Sequence, residues 1–161
     1  PNVEAISLVQ PAINSNSNTI EISFPNTEAY EYSIGNEDGP FQTSTTFENV
    51  TSGFQDLYIR DLNQCAIIKT QIAIIGYDNF FTPNEDGIND FWQLNGISSE
   101  TAAANKISIF DRYGKLLTKL TAADKGWDGT FDGQPLPADD YWFRVLLQTG
   151  QEFKGHFSLV R

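Results

Sequence analysis

Thr19-Ile20-Glu21-Ile22-Ser23-Phe24 puts Ile20, Ile22 and Phe24 on one face of an extended chain and Thr19, Glu21 and Ser23 on the other. Side chains of a strand alternate with period two, so the stretch reads as a half-buried β-strand, which Pro25-Asn26 ends. Tyr30-Glu31-Tyr32-Ser33-Ile34 alternates in the same way and runs into the turn-rich Gly35-Asn36-Glu37-Asp38-Gly39-Pro40. Residues 54–60 and 66–75 read as a strand pair around Asp61-Leu62-Asn63-Gln64. Residues 106–110 and 115–120 form a hairpin around Asp111-Arg112-Tyr113-Gly114, and 141–147 and 152–160 another around Gln148-Thr149-Gly150-Gln151. In such turns glycine supplies the positive φ that a tight reversal needs. Only residues 98–105 have a helix-friendly composition, too short for more than a turn or two. Short alternating runs broken by turn residues at intervals of about 8–12 are the mark of sandwiches. The expected fold is all-β, with two tandem Ig-like β-sandwich domains.

The chain has 161 residues, 40% apolar and 13% aromatic, ample for a packed core. Ten Lys and Arg against 21 Asp and Glu give a net charge of −11. That disfavours a nucleic-acid backbone or an anionic bilayer as partner, since both demand positive surface. No apolar run is long enough to span a membrane as a helix. A single cysteine, Cys65, excludes an intrachain disulfide and any Cys-rich zinc module, and a single histidine leaves His-based metal sites and triads short of members. The chain contains no Met, so a trimmed or mature piece of a longer protein is expected. Composition shifts at Gly76. Residues 1–76 hold 2 basic and 9 acidic side chains, whereas 77–161 hold 8 and 12 and all three Trp. The expected division is 1–76 and 77–161, joined without a flexible linker because 72–75 runs almost directly into Tyr77.

The second part carries an ordered series of motifs. Phe80-Phe81-Thr82-Pro83-Asn84-Glu85-Asp86-Gly87-Ile88-Asn89-Asp90-Phe91-Trp92 is followed by Ile109-Phe110-Asp111-Arg112-Tyr113-Gly114-Lys115 and Gly126-Trp127-Asp128-Gly129-Thr130. Then come Pro135-Leu136-Pro137, Asp140-Tyr141-Trp142-Phe143 and Phe153-Lys154-Gly155-His156-Phe157-Ser158-Leu159-Val160-Arg161. In this order and spacing, residues 77–161 closely resemble the gliding-motility-associated C-terminal domain of Bacteroidota, the type B sorting domain of the type IX secretion system. The resemblance implies a sorting signal that takes a large cargo to the outer-membrane surface or the medium by protein–protein recognition. It implies as partners the type IX translocon and an outer-membrane β-barrel of the PorP/SprF kind. The family pattern has Gly where this chain has Glu85, a departure that strains the loop only where φ is positive. Residues 1–76 resemble, more weakly, the Ig-like or repeat-type modules that precede such domains, a spacer or adhesin repeat.

Several side-chain groups invite sharper readings. Asn84, Asp86, Asn89 and Asp90 surround Gly87 much as oxygen ligands surround a calcium loop. The same residues equally make a structural turn in which Asn and Asp cap neighbouring N–H groups. Trp127 and Trp142, among Phe131, Tyr141 and Phe143, either form a sugar-stacking platform or fill the core. The platform reading belongs to the alternative function, a carbohydrate- or cell-surface-binding adhesin-type module. Asp128 is expected to hold the loop 127–136 by accepting backbone N–H bonds. Asp124, Asp128, Asp132, Asp139 and Asp140 lie in turn-rich segments without any motif context for catalysis, and no enzyme is expected. Lys154, His156 and Ser158, outward on the last strand, and Arg161 are the expected partner-binding residues, on a terminal strand with an open edge. Cys65 reads either as an inert half-buried thiol or as an intermolecular bridge.

Overall fold

The computed structural model describes residues 7–14, 17–23, 30–63 and 66–161; Phe24 and Cys65 lie outside them. The chain divides into two compact units, Pro1–Gly76 and Tyr77–Arg161. Both are all-β.

The first unit holds β1 (Ser7–Val9), β2 (Asn18–Ser23), β3 (Tyr30–Ile34), β4 (Thr46–Val50), β5 (Gly53–Asp61) and β6 (Ile67–Ile74). Two three-stranded antiparallel sheets form, in the orders β1-β2-β4 and β3-β5-β6. Period-two alternation in β2 buries Ile20 and Ile22 against Tyr32, Leu57, Ile59 and Ile74 of the other sheet. The residues 54–60 and 66–75 pair as read from sequence, in register from Gly53↔Ile74 to Arg60↔Ile67. Asn18 is a fully buried polar side chain of this unit. Asn18 accepts the Asn14 N–H at 2.9 Å and donates to the Val50 carbonyl at 3.3 Å, so its burial leaves neither end of the amide unpaired.

In the second unit β7 (Gly76–Tyr77) crosses the join, and β8 (Phe80–Phe81), β9 (Leu94–Asn95), β10 (Lys106–Phe110), β11 (Leu116–Thr121), β12 (Thr130–Phe131), β13 (Gln134–Pro135), β14 (Asp139–Leu146) and β15 (Glu152–Leu159) follow. The helix-friendly stretch 98–105 yields a single 3₁₀ turn, Ala102–Ala104. Five strands make one sheet in the order β11-β10-β14-β15-β8, antiparallel except for the β15–β8 pair. Its inner face presents Ile107, Ile109, Tyr141, Phe143, Val145 and Phe157, all buried by alternation. The layer opposite is built from loops and two-residue strands, and two tryptophans anchor it. Trp92 stacks on Phe157 with ring centroids 4.2 Å apart, and Trp127 meets Tyr141 edge-on at 5.1 Å. The two tryptophan backbones exchange hydrogen bonds at 2.9 Å each way, while the indole N–H groups donate to the carbonyls of Asp78 and Thr130, each at 3.0 Å. Large aromatics with their polar edge satisfied are what hold a loop layer down.

The final strand corrects one expectation. It is not an open edge along its length, because β8 pairs beside it through Ser158↔Phe80 and Leu159↔Phe81. Ser158 N–H donates to Asn79 at 2.7 Å and Val160 N–H to Phe81 at 3.0 Å. Strand groups at the end of β15 are therefore already spent, and only its 152–157 stretch lacks a neighbour on that side among the described strands.

Candidate functional site

The Asn/Asp loop after β8 turns its oxygens onto its own backbone. Asp90 accepts N–H bonds from Asn84 (3.2 Å), Glu85 (3.0 Å) and Gly87 (2.7 Å) with its two carboxylate oxygens. Asn84 Oδ1 accepts from Asp86, and Asp86 Oδ1 from Ile88 at 2.8 Å. Asn89 contributes its main chain, whose carbonyl takes the Thr82 N–H at 2.7 Å. The arrangement is that of nested Asx turns, in which each side chain replaces a backbone acceptor. Among the described residues no group of three or more His, Cys, Asp or Glu is placed to hold a metal ion. Glu85 and Asn89 hold φ of 62° and 52°, in the left-handed region where a Cβ is crowded.

A cleft of about 650 Å³ opens between this loop and the Trp127-Asp128-Gly129 turn, with Asp90, Phe91, Asp128, Thr130 and Arg161 on its walls. Asp128 does fix its own loop, accepting the Thr130 N–H at 3.1 Å and the Thr130 hydroxyl at 2.7 Å. Arg161, exposed, is held by the neighbouring loop. Its Nε donates to the Leu136 carbonyl at 2.7 Å and its guanidinium also reaches the Gly129 carbonyl at 3.4 Å, tying the chain onto the loop 127–136. Gly129, at φ 81°, leaves room for the neighbouring last strand: a Cβ there would lie 2.8 Å from Leu159.

The remaining expected residues stand together on the outer face of the sheet. Lys154, His156 and Ser158 alternate outward along β15, opposite Arg144, Trp142 and Asp140 of β14 in register. The Ser158 hydroxyl donates to Asp140 at 2.6 Å, and Lys154 lies 3.8 Å from Glu152. Trp127 and Trp142 do not share a platform. Trp127 is 5% exposed and belongs to the core, whereas Trp142 is 39% exposed on the other side of the sheet, its ring 6.1 Å from that of His156. Two further aspartates are locally engaged: Asp124 accepts the Thr121 N–H at 2.8 Å and Asp139 the Asp140 N–H at 2.8 Å. At the β10–β11 turn Arg112 is raised above its ordinary pKa, first by its bond to the Tyr113 hydroxyl and then by neighbouring charge that includes Asp139. Sequence reading picks out Lys154 and His156 on this face but not Arg144, Lys106, Lys119 or Phe110. The signal that finds them is the alternation of 140–146 combined with the register of its neighbours.

The second unit is thus an all-β domain whose distinctive residues close loops and furnish one outward sheet face. Residues 75–159 match the model of the CHU_C Type IX secretion signal domain, and the chain belongs to that family. It therefore carries a type IX sorting signal, which marks a protein for interaction with that secretion system and for export to the cell surface or medium. No curated protein matches the chain. Among solved structures it is similar to the BSP domain of a biofilm associated protein, at 12% identity and a TM-score of 0.37, over 97% of this chain and 30% of that one. It is also similar to dimeric latent PorU from Porphyromonas gingivalis, at 11% identity and a TM-score of 0.35, over 96% of this chain and 20% of that one. A third likeness is to Tp47, the 47-kilodalton lipoprotein of Treponema pallidum, at 9% and 0.31, over 98% and 50%. The chain spans half or less of the length of each of these proteins.

Proposed function

We propose that residues 77–161 are the export address itself and residues 1–76 a spacer that carries it, with no catalytic role for either. Recognition is by protein–protein contact: the type IX translocon reads the domain, and an outer-membrane β-barrel of the PorP/SprF kind receives it, keeping the cargo at the outer membrane. The observation that carries the reading is the family match across 75–159. The architecture supports it. A core of interlocked aromatic rings keeps the strands and loops in fixed positions, and a rigid surface loses little entropy when a partner docks. A periplasmic reporter fused to the whole chain should appear outside cells with an intact type IX system and stay inside cells lacking the translocon. Removing 77–161 should abolish export, while removing 1–76 should leave it near the starting level. Export of the reporter without 77–161 would overturn the proposal.

A further inference from the structure

The outward face of the five-stranded sheet bears a row of charge that neither the core nor the loops use. Lys119 of β11, Ser108 of β10, Arg144 of β14 and Lys154 of β15 stand in register across four strands. At about 4.8 Å between strands the row is roughly 14 Å long. Phe110 and Trp142 pair on one side of it, Lys106 and Leu146 on the other. The face thus gathers four of the chain's ten Lys and Arg, although the chain carries a net charge of −11. Three carboxylates border it, Asp124 beside Lys106 and Lys119 among them. Glu152 lies 3.6 Å from Arg144 and 3.8 Å from Lys154, and Asp140 is engaged by the Ser158 hydroxyl. Lys106 and Lys119 have no ion pair among the described residues.

Apolar exposure coincides with the charge. Trp142, Leu146 and Leu116 are each about two-fifths exposed on this same face. A depression of about 390 Å³ beside Trp142 is bordered by Arg112, Arg144 and Lys154, with Asp111 the one carboxylate on its wall. Single exposed apolar residues such as Leu146 are ordinary, but Leu116, Phe110 and Trp142, adjacent across three strands and bordered by the charged row, mark an interaction surface. Trp and Arg are the side chains on which interface affinity concentrates. The central row, Lys119, Arg144 and Lys154 against Glu152, stays cationic on an acidic chain and selects partners by sign: a carboxylate surface is attracted to it. Phe110, Leu116 and Leu146 ask for apolar partner side chains among those carboxylates, which a protein offers and a polysaccharide does not.

We propose that this face docks an acidic protein surface of the secretion apparatus, with Trp142 seated at the centre and Lys119, Arg144 and Lys154 meeting its carboxylates. The proposal rests on the export reading above. Its test uses the whole chain fused to a secreted reporter in a type IX-competent host, with a translocon-deficient host beside it. Unmodified fusion exported equally from both hosts would sink the export reading and this proposal with it. Where export depends on the translocon, R144E/K154E should lower the exported fraction at least tenfold, W142A should lower it severalfold, and R144K/K154R should restore most of it. Melting of the purified variants separates recognition from folding. Should R144E/K154E lose its cooperative transition, K106E/K119E, on two other strands of the same face, decides by the same readout. Wild-type export of a folded charge-reversal variant overturns the proposal, including the case in which export persists and only retention at the surface is lost, which would assign the face to an anionic polysaccharide.

Discussion

Glu85 occupies a left-handed backbone position at φ 62° in a loop that is otherwise held by Asp90. A side chain there opposes its Cβ to the neighbouring carbonyl, a cost of about 1–2 kcal/mol that glycine escapes. Glu85→Gly should accordingly stabilise the second unit by about 0.5–1 kcal/mol, part of the gain being offset by the freer unfolded chain. Asp90→Ala should act in the opposite sense. Three N–H groups lose their acceptor, and since the loop is exposed water replaces part of it, leaving a loss of about 1–2 kcal/mol, as for a helix cap. Urea denaturation of the two variants and the parent measures both; a Glu85→Gly variant less stable than the parent would contradict the strain argument. That a glycine is displaced at position 85 is legible in the sequence from the motif, but the sign of φ is not, because Asn and Asp turns of several kinds share one composition. The oxygens of Asn84, Asp86 and Asp90 show the same limit. A calcium loop and a nest of Asx turns use the same residues, and only the direction of each oxygen separates them.

The long strands of the second unit are easy to read because eight-residue alternation leaves little choice of face: β14 buries Tyr141, Phe143 and Val145, and β15 buries Phe153, Phe157 and Leu159 with Gly155 at the inward position between. The two-residue strands β8, β12 and β13 are too short to show any period, and the parallel β15–β8 pair joins residues far apart in the chain. That non-local pairing is why the last strand looks like an open edge from sequence while its end is covered. The outer cationic row is hidden for the same reason, since Lys119, Arg144 and Lys154 become neighbours only through strand register. Gly155 illustrates what register decides inside. It pairs with Phe143, and a Cβ added to it would fall 2.7 Å from the Phe143 ring and 3.1 Å from the Tyr77 hydroxyl. Phe143 is itself wedged against Trp92 at 4.9 Å and Tyr77 at 4.8 Å, so the ring cannot yield. Gly155→Val should therefore cost about 1–3 kcal/mol by overpacking despite its better strand propensity. A valine variant as stable as the parent in urea would show that the ring has room to move.

Both units bury tyrosines, and this ties the stability of the whole chain to alkaline pH. Burial raises the pKa of Tyr32 in the first unit, with the nearby Tyr30 adding to it. Burial likewise raises Tyr77 and Tyr141 in the second, Tyr141 further through the charge of Asp139. The unfolded chain keeps the ordinary phenol value of about 10. A group whose folded pKa lies above its unfolded one contributes stability that is complete below the unfolded value and is lost as pH climbs through the folded one. Stability attributable to these phenols should thus be flat from neutral pH to about 9 and fall from about 10 upward, as the unfolded state sheds protons that the folded state retains. The two units respond for different local reasons. Tyr141 donates its hydroxyl proton to the Pro137 carbonyl at 2.8 Å, so ionisation also breaks a bond that holds the loop before β14. Tyr32 is wholly buried and its hydroxyl has no hydrogen-bond partner among the described residues, so its ionisation breaks no bond and is opposed by lost solvation first and by Tyr30 second. Tyr32→Phe should for that reason hold its stability at neutral pH or gain about 1 kcal/mol, and lose less of it at high pH. Tyr141→Phe should instead lose stability at neutral pH while its alkaline decline also becomes shallower. Urea midpoints from pH 7 to 11 for the parent and the two variants test the account, and an alkaline slope unchanged by both substitutions would assign the decline to the acidic chain's self-repulsion instead.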